Sequence, residues 1–222
     1  IQEKINNVAA ITVSSRMATE LLGGIKEKKM MQWKSAITKQ AKPLGSNAAK
    51  GELKLKAERV SQEIETENVA GYLEGTDKKD EVLVITAHID HIGISADGQI
   101  NNGADDDGSG TVSVLELAEA FSKAKAEGHG PRRSILFMTV TGEEKGLFGS
   151  AYYAENPLLP LDKTIANLNI DMIGRVDKAH EADPRYVYLI GSDKLSSELH
   201  AISEAANQRY VQYQLDYTFN DP

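Results

Sequence analysis

Of the eight consecutive residues Ser134 to Thr141 (S-I-L-F-M-T-V-T), five are apolar, the others are Ser or Thr, and none is charged. A half-exposed strand alternates polar with apolar residues, so a run like this belongs inside a sheet covered on both faces. Asn68 to Leu73, Val82 to Ala87, Ile165 to Ile170 and Tyr186 to Ile190 also read as strands. Gly75 to Asp80 predicts a hairpin-like connection between the first two. Thr111 to Ala126 predicts a helix with Val112, Leu115, Ala118 and Phe121 on one face. Leu147 to Ala154 predicts a short helix stopped near Pro157, Leu195 to Arg209 another helix, and Val211 to Phe219 a last strand. Strands alternating with helices predict an α/β fold, a mixed and mostly parallel sheet flanked by helices on both faces.

The first 66 residues have a different texture and read as a small α+β segment, with the α/β domain spanning 67–222. Val8 to Val13 predicts a short strand. Ser14 or Ser15 can cap a helix that ends at Gly23-Gly24. Lys26 to Gln40 is rich in lysine and ends before Pro43, and its charges read as a solvated face. Gly51 to Val60 (G-E-L-K-L-K-A-E-R-V) alternates as a half-buried strand does.

Four segments of the α/β domain end in acidic clusters. They are A-H-I-D-H-I-G with His88 and Asp90, N-G-A-D-D-D-G-S-G with Asp105 to Asp107, T-G-E-E-K-G with Glu143 and Glu144, and N-I-D-M-I-G with Asp171. Open α/β sheets bind their ligands at strand ends. His88 and Asp90, two apart on a strand, would share a face, which suits an imidazole ligand held at its far nitrogen by a carboxylate. The plain alternative is a strand-end histidine with a nearby turn aspartate. His91 faces the other way and reads as a loop residue. Three adjacent aspartates repel one another unless a cation compensates, while helix-start dipoles account for only one of them. One carboxylate can bridge two metals. Of Glu143 and Glu144, one can ligate metal while the other stands over the attacking water as base and acid. Asp171 interrupts an apolar run, and burying a carboxylate is costly unless it is paired or metal-bound. Jointly, the four clusters predict a metal-dependent hydrolase with two metals.

The chain has 222 residues, a net charge of −8 and no cysteine. The acidity argues against nucleic-acid binding, which neutralises phosphates with Lys and Arg. Without cysteine, any metal must be held by nitrogen and oxygen ligands, and a cysteine-free composition fits an exported, periplasmic or secreted bacterial protein. No apolar run reaches the ~18 residues of a membrane span. Nucleophile motifs are missing as well: there is no G-x-S-x-G elbow and no phosphate loop.

Through these four motifs together, over about Glu67 to Asn220, the chain resembles the two-zinc aminopeptidases related to Vibrio leucyl aminopeptidase and glutamate carboxypeptidase. The resemblance implies that His88 and Asp171 bind one zinc, Glu144 the other, and Asp106 bridges them. It also implies Glu143 as general base and acid, Asp90 as the residue orienting His88, a cis peptide after Asp106, and a peptide substrate. The stretch I-T-V-S-S-R-M-A-T-E-L-L-G is similar to part of a protease-associated insert, which would account for residues 1–66. The family's fifth ligand, a histidine in a later S-D-H-like segment, has no counterpart: His129, His180 and His200 stand in other contexts. The sequence therefore predicts a chain incomplete at its C-terminus, with at most one zinc tightly bound. A carboxypeptidase, a one-zinc glutaminyl cyclase and a non-catalytic binding domain are the competing readings. An intact Glu143 argues against the last, since a pure binder has no use for a general base.

Overall fold

A computed structural model describes residues 12–42 and 63–220. The chain divides into two compact units, Ile1–Glu63 and Ile64–Pro222. In the first, helix α1 (Ser15–Leu21) is capped by Ser14, whose hydroxyl accepts from the Met17 N–H at 3.3 Å. Helix α2 (Glu27–Gln40) buries no residue and stops at Ala41, whose backbone is left-handed. The strand expected over Gly51 to Val60 lies outside the described residues. Of the one expected over Val8 to Val13, only Thr12 and Val13 are described, and neither is in a strand.

The second unit is built on a four-stranded sheet in the order β1-β3-β2-β4, from β1 (Val69–Leu73), β2 (Lys78–His88), β3 (Arg133–Val140) and β4 (Thr164–Asn169). β2 runs parallel to both β3 and β4, and β1 pairs antiparallel with β3. The sheet is therefore mixed and mostly parallel. β3 is buried from Ser134 to Val140, as its charge-free, mostly apolar run predicts. Its side chains alternate between two cores. Val82, Val84, Leu136, Met138 and Val140 pack with Tyr153 of helix α4 (Phe148–Glu155). Ile85, Ala87, Ile135 and Phe137 pack with helix α3 (Gly108–Ala126).

Three expectations need correction. The turn after β1 is no hairpin, because β3 lies between β1 and β2. The turn docks instead on the start of β3: the Thr76 N–H donates to the Pro131 and Arg132 carbonyls, and Arg132 clasps the Asp77 carboxylate. A polar glycine turn looks the same in sequence whether or not its strands pair. The buried face of α3 carries Val114, Leu117, Ala118 and Phe121, while Val112 and Leu115 are exposed. A spacing of three turns only ~300° per step, so a face drawn that way drifts around the helix.

The last expected strand shrinks to β6 (Gln214–Asp216), which pairs in parallel with β5 (Tyr186–Tyr188) across helix α5 (Ser197–Tyr210) as a separate two-stranded sheet. Asn207 holds the turn after α5 by bonding both backbone groups of Tyr213, so the strand starts late. His180, 3.0 Å from Asp216 and stacked on Tyr186 at 3.6 Å, pins the preceding loop to this small sheet. Among the described residues no helix is long and apolar enough to cross a membrane.

Candidate metal centre

The chain runs from β2 through α3 to β3 on one side of β2, then returns through α4 to β4 on its other side. β2 is thus the switch point, and the carboxyl ends of three parallel strands open on one edge, where a ligand crevice forms. His88 ends β2, Glu143 and Glu144 follow β3, and Asp171 follows β4. Asp105 to Asp107 lead into α3.

His88 is 3 % exposed. Its Nδ1 lies 2.8 Å from the carbonyl of Asp90. A carbonyl only accepts, so Nδ1 carries the proton and Nε2 presents its lone pair to the site. Nε2 is 3.1 Å from Asp106 Oδ1, 3.8 Å from Asp171 Oδ2 and 3.9 Å from Glu143 Oε2. A lone pair facing three carboxylates is repulsive unless a proton or a cation stands between them. Burial works to lower the His88 pKa, but the Asp90 carbonyl and the carboxylates of Asp107, Asp171 and Glu143 outweigh it and hold the imidazole above its ordinary value. Burial, with Asp107 beside it, raises Asp171.

Asp90 lies past the end of β2, so the shared strand face expected of His88 and Asp90 does not exist. Its carbonyl, rather than its carboxylate, holds the imidazole. The carboxylate sits 3.8 Å from Nδ1 and accepts the backbone N–H of Glu143 at 3.1 Å. Asp90 therefore ties the end of β2 to the loop after β3. Asn68 steadies that loop from the β1 side, bonding Thr141 and Gly149.

The three aspartates separate in role. Asp105 accepts from the Gly174 N–H and from Arg175, whose guanidinium draws its pKa below the ordinary range. Asp107, 2 % exposed, accepts backbone N–H groups of His88, Gly110 and Met172. It staples β2, α3 and the loop after β4, and burial raises its pKa. Asp106 alone leaves its carboxylate toward the site, and the peptide bond between it and Asp107 is cis. His88, Asp107 and Asp171 carry atoms within 4.8 Å of one another, as do His91, Asp106 and Glu144. Asp107 oxygens are already engaged by the backbone, so Asp106 is the carboxylate free to join His88 and Asp171.

His91, expected as a loop residue facing the other way, turns toward the acidic cluster. Its Nδ1 lies 2.7 Å from Glu144 Oε1 and 3.9 Å from Asp106 Oδ1, the same oxygen that faces His88. His91 Nδ1 and Glu144 Oε1 are both buried and neither makes a hydrogen bond, although they stand within ion-pair distance of each other. Buried polar atoms left so are rare in folded proteins. Imidazole and carboxylate donors without thiolates suit zinc, and the orphaned atoms mark where a cation fits.

Peptidase family M28 matches residues 68–221. A probable zinc metalloprotease of Pyricularia oryzae is 34% identical over 137 residues, covering 59% of this chain and 26% of that protein. A probable glutamate carboxypeptidase of Arthroderma benhamiae is 38% identical over 106 residues, 47% of this chain and 14% of that one. Among solved structures, an aminopeptidase from Aneurinibacillus sp. strain AM-1 superposes with a TM-score of 0.51 at 25% identity, over 69% of this chain and 35% of that one. LapB from Legionella pneumophila superposes at 0.52 and 29% identity, over 68% and 38%. The chain thus spans about a quarter or less of these curated relatives and a little over a third of these solved ones. The fold of residues 64–222 is thus one shared with these aminopeptidase and LapB structures. The chain belongs to Peptidase family M28.

Proposed function

We propose that this chain carries the catalytic centre of a zinc aminopeptidase, with His88 and Asp171 holding one zinc, Glu144 the other and Asp106 between them. The observation that carries the reading is the Asp106 Oδ1 atom, 3.1 Å from His88 Nε2 and 3.9 Å from His91 Nδ1, set between two groups of mutually uncompensated donors. Zinc bound there would polarise the scissile carbonyl and make water a stronger acid. Glu143 is the general base and acid. Its backbone is fixed by Asp90, and its Oε2 stands beside the His88 nitrogen, so it can take a proton from the attacking water and return it to the leaving amine. Asp90 keeps the His88 proton on Nδ1 through its carbonyl.

Charge favours the amino end of a peptide. Asp106, Asp107, Glu143, Glu144 and Asp171 are five carboxylates, and two dications cancel four charges. Among the described residues, no Lys or Arg ion-pairs with any of the five; Arg175 is taken by Asp105. A site of residual negative charge attracts an ammonium and repels a terminal carboxylate. Export to the periplasm or medium, and residues 1–66 as part of a protease-associated insert, belong to the same reading. The test is hydrolysis by the protein carrying this chain of peptides blocked at either end. Cleavage should require a free amino terminus, stop on chelation and return with zinc. Equal cleavage of amino-blocked peptides, or loss only with carboxyl-blocked ones, would move the assignment to carboxypeptidase.

A further inference from the structure

We propose that helix α2 (Glu27–Gln40), with the lysines at its two ends, docks on the surface of an anionic phospholipid bilayer. It shares no residue with the metal centre. Residues 26–42 carry six lysines, Lys26, Lys28, Lys29, Lys34, Lys39 and Lys42, and one acid, Glu27, in a chain whose net charge is −8. All six are exposed, and among the described residues none of them makes an ion pair or a side-chain hydrogen bond. Salt screens charges beyond about 8 Å, so an approaching surface meets this local cluster and not the net charge.

Helix stability does not account for these lysines. A helix whose charges serve only to solvate it pairs opposite signs three or four residues apart. The positions at those distances from Lys28, Lys29, Lys34 and Lys39 hold no acid. Lys26 stands at the N-cap without a side-chain cap, and Lys28 and Lys29 follow in the first turn. The helix dipole favours acids there and disfavours cations. An anion outside the unit is what this placement suits.

The apolar residues are arranged as in a helix that lies in a membrane interface. Met30, Trp33 and Ile37, spaced i, i+3, i+7, form one stripe. Lys29 stands one turn before Trp33 and Lys34 one turn after Met30, so a lysine borders the stripe on each side. From there their stems can lie along the apolar layer with the ammonium groups among the headgroups. Trp33, the one tryptophan of the chain, has the ring type that settles at headgroup level. The unit does not use the stripe as a core: α2 buries no residue, and Ile37 is 43 % exposed. A helix of 14 residues is about 21 Å long, enough to lie on a bilayer and too short to cross its ~30 Å core. Nucleic acid fits less well. Arginine is the residue whose fork matches phosphates, and residues 26–42 hold none. A phosphate backbone also has no use for an apolar stripe.

The experiment is sedimentation of the chain with phosphatidylcholine vesicles, with and without phosphatidylglycerol, at low and at high salt. Trp33 fluorescence is the second readout, and circular dichroism verifies that each variant is folded. The chain should pellet with phosphatidylglycerol vesicles at low salt, be released by high salt, and stay in solution with phosphatidylcholine alone. Trp33 emission should shift to the blue on binding. Each lysine near an anionic surface contributes about fivefold, so Lys29→Gln/Lys34→Gln should bind about 25-fold more weakly. Trp33→Ala should weaken binding and leave its salt dependence in place. No binding to phosphatidylglycerol vesicles, equal binding to both vesicle types, or unchanged binding by the double variant overturns the proposal. A blue shift with duplex DNA but not with phosphatidylglycerol vesicles gives the surface to nucleic acid. A blue shift that grows with protein concentration in the absence of lipid gives it to a second copy of the chain. Either result overturns the proposal too.

Discussion

Asp105, Asp106 and Asp107 have the same side chain, and their surroundings give each a different chemistry. Arg175 neutralises the first, three backbone N–H groups occupy the third, and only the second is left for a cation. Glu143 and Glu144 divide in the same way, since one faces His88 and the other faces His91. On the proposed reading, Glu143→Gln keeps zinc binding and loses ~10²–10⁴-fold in turnover, because an amide cannot accept the proton. Glu144→Gln instead weakens metal binding. Metal content and kcat measured on both variants check this, and equal zinc loss in the two would show the roles to be misassigned. Asp106 and Glu143 were legible in sequence as members of acidic pairs and triplets. Which member does what came only from the resemblance, because neighbouring loop residues follow no period that aims a side chain.

At the scale of elements, the site depends on how closely α3 approaches the end of β4. A Cβ at Gly110 would stand 2.3 Å from the Ile170 carbonyl and 2.4 Å from Asp107 Oδ1. Gly110→Ala should therefore cost about 1–3 kcal/mol in denaturant unfolding and loosen metal binding as Asp107 is displaced. Gly71→Ala in β1, where nothing lies within 4 Å, is the control and should be neutral or slightly stabilising. The turn before β2 offers a pH test. Arg132 hydrogen-bonds Asp77 and lowers its carboxyl to about 2. A depressed carboxylate stabilises the fold above its unfolded value near 3.8, and that contribution is lost as pH falls through about 2. The pair is exposed, so its stability effect is small. The readout is NMR titration of Asp77, which should return toward its ordinary value in Arg132→Gln. An unmoved titration would mean that the guanidinium is not the cause. The turn's contact with Arg132 was not legible in sequence, since 55 residues separate the partners.

At the scale of the molecule, the cluster of carboxylates is a cost that bound cations remove. Zinc at about 100 times its dissociation constant should stabilise the chain by ~2.7 kcal/mol per site, seen as a higher thermal midpoint that chelator reverses. Identical midpoints with and without zinc would mean that the carboxylates do not gather on metal. What the sequence determined by itself is local. A short, charge-free and mostly apolar run reads as an interior strand, which made β3 and the α/β class readable. The donors, their types and their position after strand ends could be read because strand ends are marked by loss of apolarity. Tertiary structure decided the strand order, which puts β3 between β1 and β2, and with it the exposed face of α3. It also decided which donors meet. His91 leaves the strand pattern one loop after His88 and is brought to Glu144 across 53 residues of chain. Such a meeting depends on how β2 and β3 pair and on how a glycine turn packs, and no local spacing records either.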